Sequence, residues 1–185
     1  LAWTPLEHAG MIACMLFILV IVCGRWLITE EDPSPEKAPL ISIPRGPVLV
    51  LGLLAFVAMI AEGAATDWSS IFARNELEAT PSQAAAVFTV FALMMTLGRF
   101  LGDRLVHHWG PDRVLRYACW VGAAGFMAGL LSENLDGVMF GFACLGLGLA
   151  NTVPILFSGA SRIPGVNPGV GIAGVATLGY FGFLI

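Results

Sequence analysis

Long apolar runs alternate with short polar punctuation along this chain. Six runs of about 20 residues stand out: Ala9–Ile28, Pro47–Thr66, Pro81–Leu101, Val114–Leu131, Asp136–Phe157 and Pro168–Ile185. At a helical rise of 1.5 Å per residue, each is about long enough to cross a ~30 Å hydrocarbon core. Strands of a membrane barrel would be nearer 10 residues and would alternate in polarity. The pattern predicts an all-α membrane protein with six transmembrane helices.

Punctuation between the runs supports these spans. Thr80-Pro81-Ser82-Gln83 offers a hydroxyl N-cap, proline at the first helical position and glutamine at N3, the elements of a capping box. Asn167-Pro168 opens the last span in the same way. From Glu30 through Pro47, five prolines among charges predict an extended linker over 29–46. Trp68 and Trp109 fall near expected interfaces, where indole rings anchor at headgroup level.

Composition removes the soluble alternative, since 57% of residues are hydrophobic and 12% charged. Cys14, Cys23, Cys119 and Cys144 lie inside apolar runs with no C-x-x-C pair, which predicts small core hydrophobes instead of metal ligands or disulfides. No metal site or cofactor motif is expected. Charge position carries more than the net −4. Threading six spans places Arg25, Lys37, Arg45, Arg99, Arg104, Arg113, Arg116 and Arg162 on one side and Arg74 alone on the other. Cytoplasmic loops carry the Lys/Arg excess, so 29–46, 98–113 and 158–167 are expected to be cytoplasmic.

Residues 98–113, GRFLGDRLVHHWGPDR, form an island of charge and glycine. Gly98, Gly102, Asp103, Arg104, Gly110 and Arg113 resemble a loose form of the Gly…Asp-Arg…Gly…Arg loop signature of the major facilitator superfamily of membrane transporters. The strict form, between that family's helices 2 and 3, has its second glycine three residues after the aspartate. Here Gly110 follows Asp103 by seven, which suits the looser echo between helices 8 and 9. In that register the six spans correspond to about helices 6–11 of a twelve-helix fold. Residues 1–28 would hold the last helix of the amino-terminal bundle, 29–46 the central cytoplasmic linker, and 47–185 an incomplete carboxy-terminal bundle. The chain starts at Leu1 and stops within an apolar run, as expected of a carboxy-terminal-half fragment. AEGAATDWS (61–69), GLGLANTVPILFS (146–158) and GVATLGYFGFL (174–184) are similar to bacterial fucose permease-like carriers.

The resemblance implies a gating loop made of Gly98, Arg99, Gly102, Asp103, Arg104, Gly110 and Arg113. Asp103 can face a helix amino terminus, and Arg104 and Arg113 can bridge carboxylates or lipid phosphates. Gly98 and Gly102, four apart, let another helix approach. The other reading of the island is a positive-inside anchor with ordinary helix caps. His107-His108 has no third ligand at useful spacing and is an interfacial pair of bases.

Polar residues inside the spans are candidates for a substrate or proton site. Glu62 lies about 15 residues into its helix, ~22 Å from the helix start. An ionised carboxylate at such depth costs ~2.5 kcal/mol or more unless it has a partner or water. It either protonates and binds solute during transport, or holds a neighbouring helix or the outer gate. Thr66, Ser69 and Ser70 follow on nearly the same face. Asp67, about 140° away on the helix, marks an outer helix end. Asn151 with Pro154 either satisfies the carbonyl freed by the proline or binds a polar ligand. Ser82, Thr89 and Thr96 form a mild polar stripe that lines a cavity or bonds back to its own helix.

The function expected is secondary active transport of a small solute by alternating access, with or without proton coupling, in a bacterial inner membrane. A sugar-like solute is favoured by the fucose permease-like resemblance, and drug or metabolite efflux competes. The implied partners are the solute, protons, membrane lipid and the other half of the same protein. An intramembrane enzyme is disfavoured by the lack of G-x-S-x-G, H-E-x-x-H or any histidine within a span. A non-transporting sensor or scaffold shares the same fold. Nucleic-acid binding has no basic patch to support it.

Overall fold

The computed structural model describes residues 4–24 and 45–185. Among them, every regular element is an α-helix: α1 (Pro5–Gly24), α2 (Pro47–Glu76), α3 (Pro81–Trp109), α4 (Pro111–Leu131), α5 (Leu135–Leu149), α6 (Thr152–Ala160) and α7 (Pro168–Phe183). The proposed linker 29–46 lies outside the described residues except for its last two, as do Arg25 and Lys37. Two compact units divide at Ala38 and Pro39, and each is described by itself.

The first unit contains α1. Its start is a reciprocal cap: the Thr4 amide donates to Glu7 Oε2 at 2.8 Å and the Glu7 amide donates to Thr4 Oγ1 at 3.3 Å. The Thr4 amide holds the Glu7 carboxyl below its ordinary range. The helix is apolar on every side, as suits a hydrocarbon surround.

The second unit is an up-and-down bundle. Four segments, α2, α3, α4 and Leu135–Ala160, are long and apolar enough to cross a membrane, while α7 is a shorter apolar helix of 16 residues. Their ends differ from the expected spans for a common reason: hydropathy marks where apolar residues stop, whereas a helix stops where its hydrogen bonding is interrupted. Thus α2 runs past Thr66 to Glu76, and the connection expected over 67–80 shrinks to 77–80. Thr80 caps α3 with the complete box foreseen with Gln83, and Asn167 Oδ1 accepts from the Gly169 amide at the start of α7.

The largest correction concerns 98–113. No loop occupies it. Residues 98–109 are the last turns of α3, Gly110 alone makes the turn, and α4 begins at Pro111. Gly110 has φ 82°, a backbone that side chains rarely adopt. Arg99 therefore lies ten residues inside a helix and drops out of the loop charges counted for topology. A second correction divides the span Asp136–Phe157 into α5 and α6 at Ala150-Asn151. The seventh helix ends at Phe183, short of Ile185.

Glycine sets the packing. Along the antiparallel α4–α5 seam, Gly122 meets Gly148, Gly125 meets Cys144 and Gly129 meets Gly141. The parallel pair α2–α7 closes with Gly179 against Ala55 and Met59, and Gly182 against Phe56. Such contacts bring backbones together where lipid supplies no hydrophobic drive between helices. One buried cluster, with Val87, Phe91, Met95, Val138 and Phe142, joins α3 to α5. Another, with Val48, Ala55, Leu156 and Val175, joins α2, α6 and α7.

Candidate functional site

Helix lengths bring the one deep carboxylate to a cation. Glu62 lies 15 residues after the start of α2, and Arg99 ten residues before the end of α3. The two helices are antiparallel, so these positions are ~22 Å and ~15 Å from the same end of the bundle. An arginine side chain spans the difference. Arg99 Nη2 donates to Glu62 Oε1 at 3.3 Å, the one ion pair among the described residues.

The pair lines an open cavity of about 550 Å³ whose other walls include Met59, Pro154, Phe157 and Tyr180. Four helices, α2, α3, α6 and α7, thus contribute. The Arg99 side chain is 55% exposed and Glu62 is 22% exposed, so the cation faces the cavity and the carboxylate sits further into its wall. The guanidinium retains donors for an anionic or hydroxylated ligand, and the carboxylate can accept a hydrogen bond or a proton. Phe157 and Tyr180 add ring surface. A second cavity of about 290 Å³, walled by side chains such as Leu54, Ala118, Cys119 and Leu156, is almost wholly apolar.

Asn151 sits at the break between α5 and α6. Its Nδ2 donates to the Gly98 carbonyl on α3 at 2.8 Å, and its Oδ1 packs onto Gly102. The glycine pair does admit a neighbouring helix, with Gly98 against Ala150 and Leu147. Asn151 is thus engaged with α3 backbone. Thr152 satisfies the Gly148 carbonyl at 3.0 Å.

Other expected site residues lie elsewhere. Thr89 is exposed and bonds back to Ala85, and Thr96 to Ala92, each at 2.8 Å. Asp67 is exposed within α2, well before its end. Thr66 bonds back to the Glu62 carbonyl, Ser70 donates across to the Ala84 carbonyl on α3, and Ser69 is fully buried. Asp103 and Arg104 are exposed on the last turns of α3. Arg113, in the first turn of α4, borders an open recess with Trp109 and Tyr117, whose rings meet edge-on at 6.4 Å.

Sequence inspection separated Glu62 from Arg99 by assigning the latter to a loop. A signal for the pairing was present: Gly110-Pro111 is the first helix-breaking pair after Pro81, which leaves Arg99 within the helix. Tyr180 and Phe157 carried no such signal, since an aromatic side chain in an apolar span looks the same facing lipid or a cavity.

Comparison with known proteins places this architecture. Residues 2–185 match the family model described as Major Facilitator Superfamily. An uncharacterized MFS-type transporter of Yersinia pestis is 34% identical over all of this chain and 48% of its own length. Membrane protein MosC of Rhizobium meliloti is 32% identical over 90% of the chain and 42% of its own length. An uncharacterized transporter of Sinorhizobium fredii is 32% identical over 75% of the chain and 37% of its length. The chain spans less than half the length of these relatives. No solved structure matches it significantly. Apolar helices long enough to cross a membrane, an up-and-down glycine-packed bundle and a family match over nearly every residue lead to one conclusion: this chain belongs to the major facilitator superfamily and is an integral, multi-pass membrane chain.

Proposed function

We propose that the protein containing this chain is a secondary transporter that moves a small polar solute by alternating access, and that Glu62 and Arg99 form its solute or proton site within this half. The observation that carries this reading is the ion pair on the wall of an open cavity bounded by α2, α3, α6 and α7. Paired charges within apolar helices are costly to keep and mark ligand or proton pathways. Residues 47–185 act as the carboxy-terminal bundle, 1–28 as the preceding helix and 29–46 as the linker to it. The basic end of the bundle faces the cytoplasm of a bacterial inner membrane, where lipid phosphates meet Arg113 beside Trp109 and Tyr117. Asp103, Arg104, Gly110 and Arg113 latch that face against the other half. A polyhydroxylated, sugar-like solute is the class to test first, since guanidinium, carboxylate and ring faces together suit hydroxyl-rich ligands.

The test is uptake by the intact protein in proteoliposomes, using a panel of labelled sugars and organic acids with and without an imposed pH gradient. Wild-type protein is expected to show saturable flux, and Glu62→Gln to lose most of it or its dependence on the gradient. Unchanged rate and pH profile in Glu62→Gln would remove the carboxylate from the mechanism.

A further inference from the structure

Asn151 is the N-cap of α6, yet its side chain makes no capping hydrogen bond. Pro154 occupies N3 and has no N–H to offer, which leaves only the Val153 N–H at N2 for such a cap, and the Asn151 side chain does not take it. The amide is instead committed across the bundle to the Gly98 carbonyl at 2.8 Å. Its Oδ1 packs so closely on Gly102 that a Cβ there would overlap it. Gly98 and Gly102 bracket Arg99, and the carbonyl that Asn151 holds belongs to the peptide bond that leads into Arg99. On the other side of the break, Val153, Pro154 and Phe157 line the cavity that contains the pair.

We propose that Asn151 is a positioning residue: it fixes the rotation and depth of α3 at Arg99, and so ties the Glu62–Arg99 pair to the α5/α6 break. This rests on reading the pair as the transport site. The leverage is geometric. A rotation of α3 by ~10° moves a group at the ~5–6 Å outer radius of the helix by about 1 Å, enough to carry the 3.3 Å contact past hydrogen-bonding distance. Within the bundle no bulk water competes for the Gly98 carbonyl, so the amide keeps its grip. A solute pressing on Pro154 or Phe157 would act on Arg99 through the same residue.

Two measurements on the intact protein test this. The first is a thermal-stability cycle combining Asn151→Ala with Arg99→Gln. If Asn151 seats Arg99, the second substitution costs clearly less in the Asn151→Ala background than alone. Equal, additive shifts in Tm would overturn the proposal. The second is solute uptake. Asn151→Ala is expected to raise KM about tenfold and to displace the pH profile, with maximal rate changed less than threefold. Gly102→Ala, which keeps the asparagine but expels it from its slot, is expected to reproduce this pattern. An unaltered KM and pH profile in both variants would overturn the proposal. The two failures are distinguishable. If Glu62→Gln and Arg99→Gln transport like wild type, the site reading falls, while a non-additive stability cycle still supports Asn151 as the residue that seats Arg99.

Discussion

Neutralising the two members of the ion pair separately should have unequal effects, because they are unequally exposed. At 3.3 Å and an effective dielectric near 20, their Coulomb attraction is about 5 kcal/mol. Desolvation and the ordering of a long side chain offset most of this, and partly exposed pairs retain ~1 kcal/mol. Arg99→Gln strands a carboxylate that is 22% exposed; leaving it short of its charged partner should cost ~2 kcal/mol. Glu62→Gln strands a guanidinium that is 55% exposed to the cavity, where water replaces the lost acceptor, and should cost ~1 kcal/mol or less. The double variant, with no stranded charge, should be more stable than Arg99→Gln alone. Thermal unfolding in detergent, followed by a thiol-reactive dye, reads this directly. Buried Cys144 reports unfolding once the exposed Cys14, Cys23 and Cys119 are replaced by alanine. If Glu62→Gln were the more damaging change, or if the double variant showed the sum of the single losses, the assignment of depth and coupling would be wrong.

Further outcomes follow from the packing, the helix caps and the buried hydroxyls. Gly129→Ala places a Cβ 2.6 Å from both the Gly137 carbonyl and the Gly141 Cα, which are backbone and cannot turn aside; a loss of about 1–3 kcal/mol is expected in the same melt. Gly125→Ala meets the Cys144 Cβ, which moves only with its own backbone, and should cost a similar amount, and an unchanged melt in both variants would refute this account of the seam. Thr80→Ala removes a complete capping box and should lower stability by ~1 kcal/mol, whereas Thr89→Val, whose hydroxyl only bonds back to Ala85, should leave solute KM within twofold in the uptake assay. Ser69→Ala deletes a buried hydroxyl that has no hydrogen-bond partner among the described residues, so its Tm should be equal to wild type or higher.

Membrane class, number of apolar segments and several helix starts were legible in the chain. Each depends on information local in sequence: a run long enough to cross hydrocarbon, or a cap such as Thr80-Pro81-Ser82-Gln83 that saturates its own helix end. The charged island was legible as a special place but was assigned the wrong backbone. Charge suggested a loop, whereas helical hydrogen bonding continues through Arg99, Asp103 and Arg104 until Gly110 and Pro111 interrupt it. Likewise, Asn151 stood out as a polar residue in an apolar span, but not as the point where that span breaks.

Partnership was decided only by the tertiary structure. Glu62 and Arg99 are 37 residues apart, and Asn151 and Gly98 are 53 apart. Neither separation obeys a helical or strand period, so the contacts exist only because α2, α3 and the α5/α6 break pack at one level. The sequence by itself determined that this protein spans a membrane as helices, because the bilayer requires every segment to satisfy its own backbone. Which polar groups meet inside the bundle was settled by how the helices pack, with glycines such as Gly98 and Gly102 admitting the α5/α6 break against α3. That packing depends on helix rotation and register, properties of paired surfaces that no single run of residues contains.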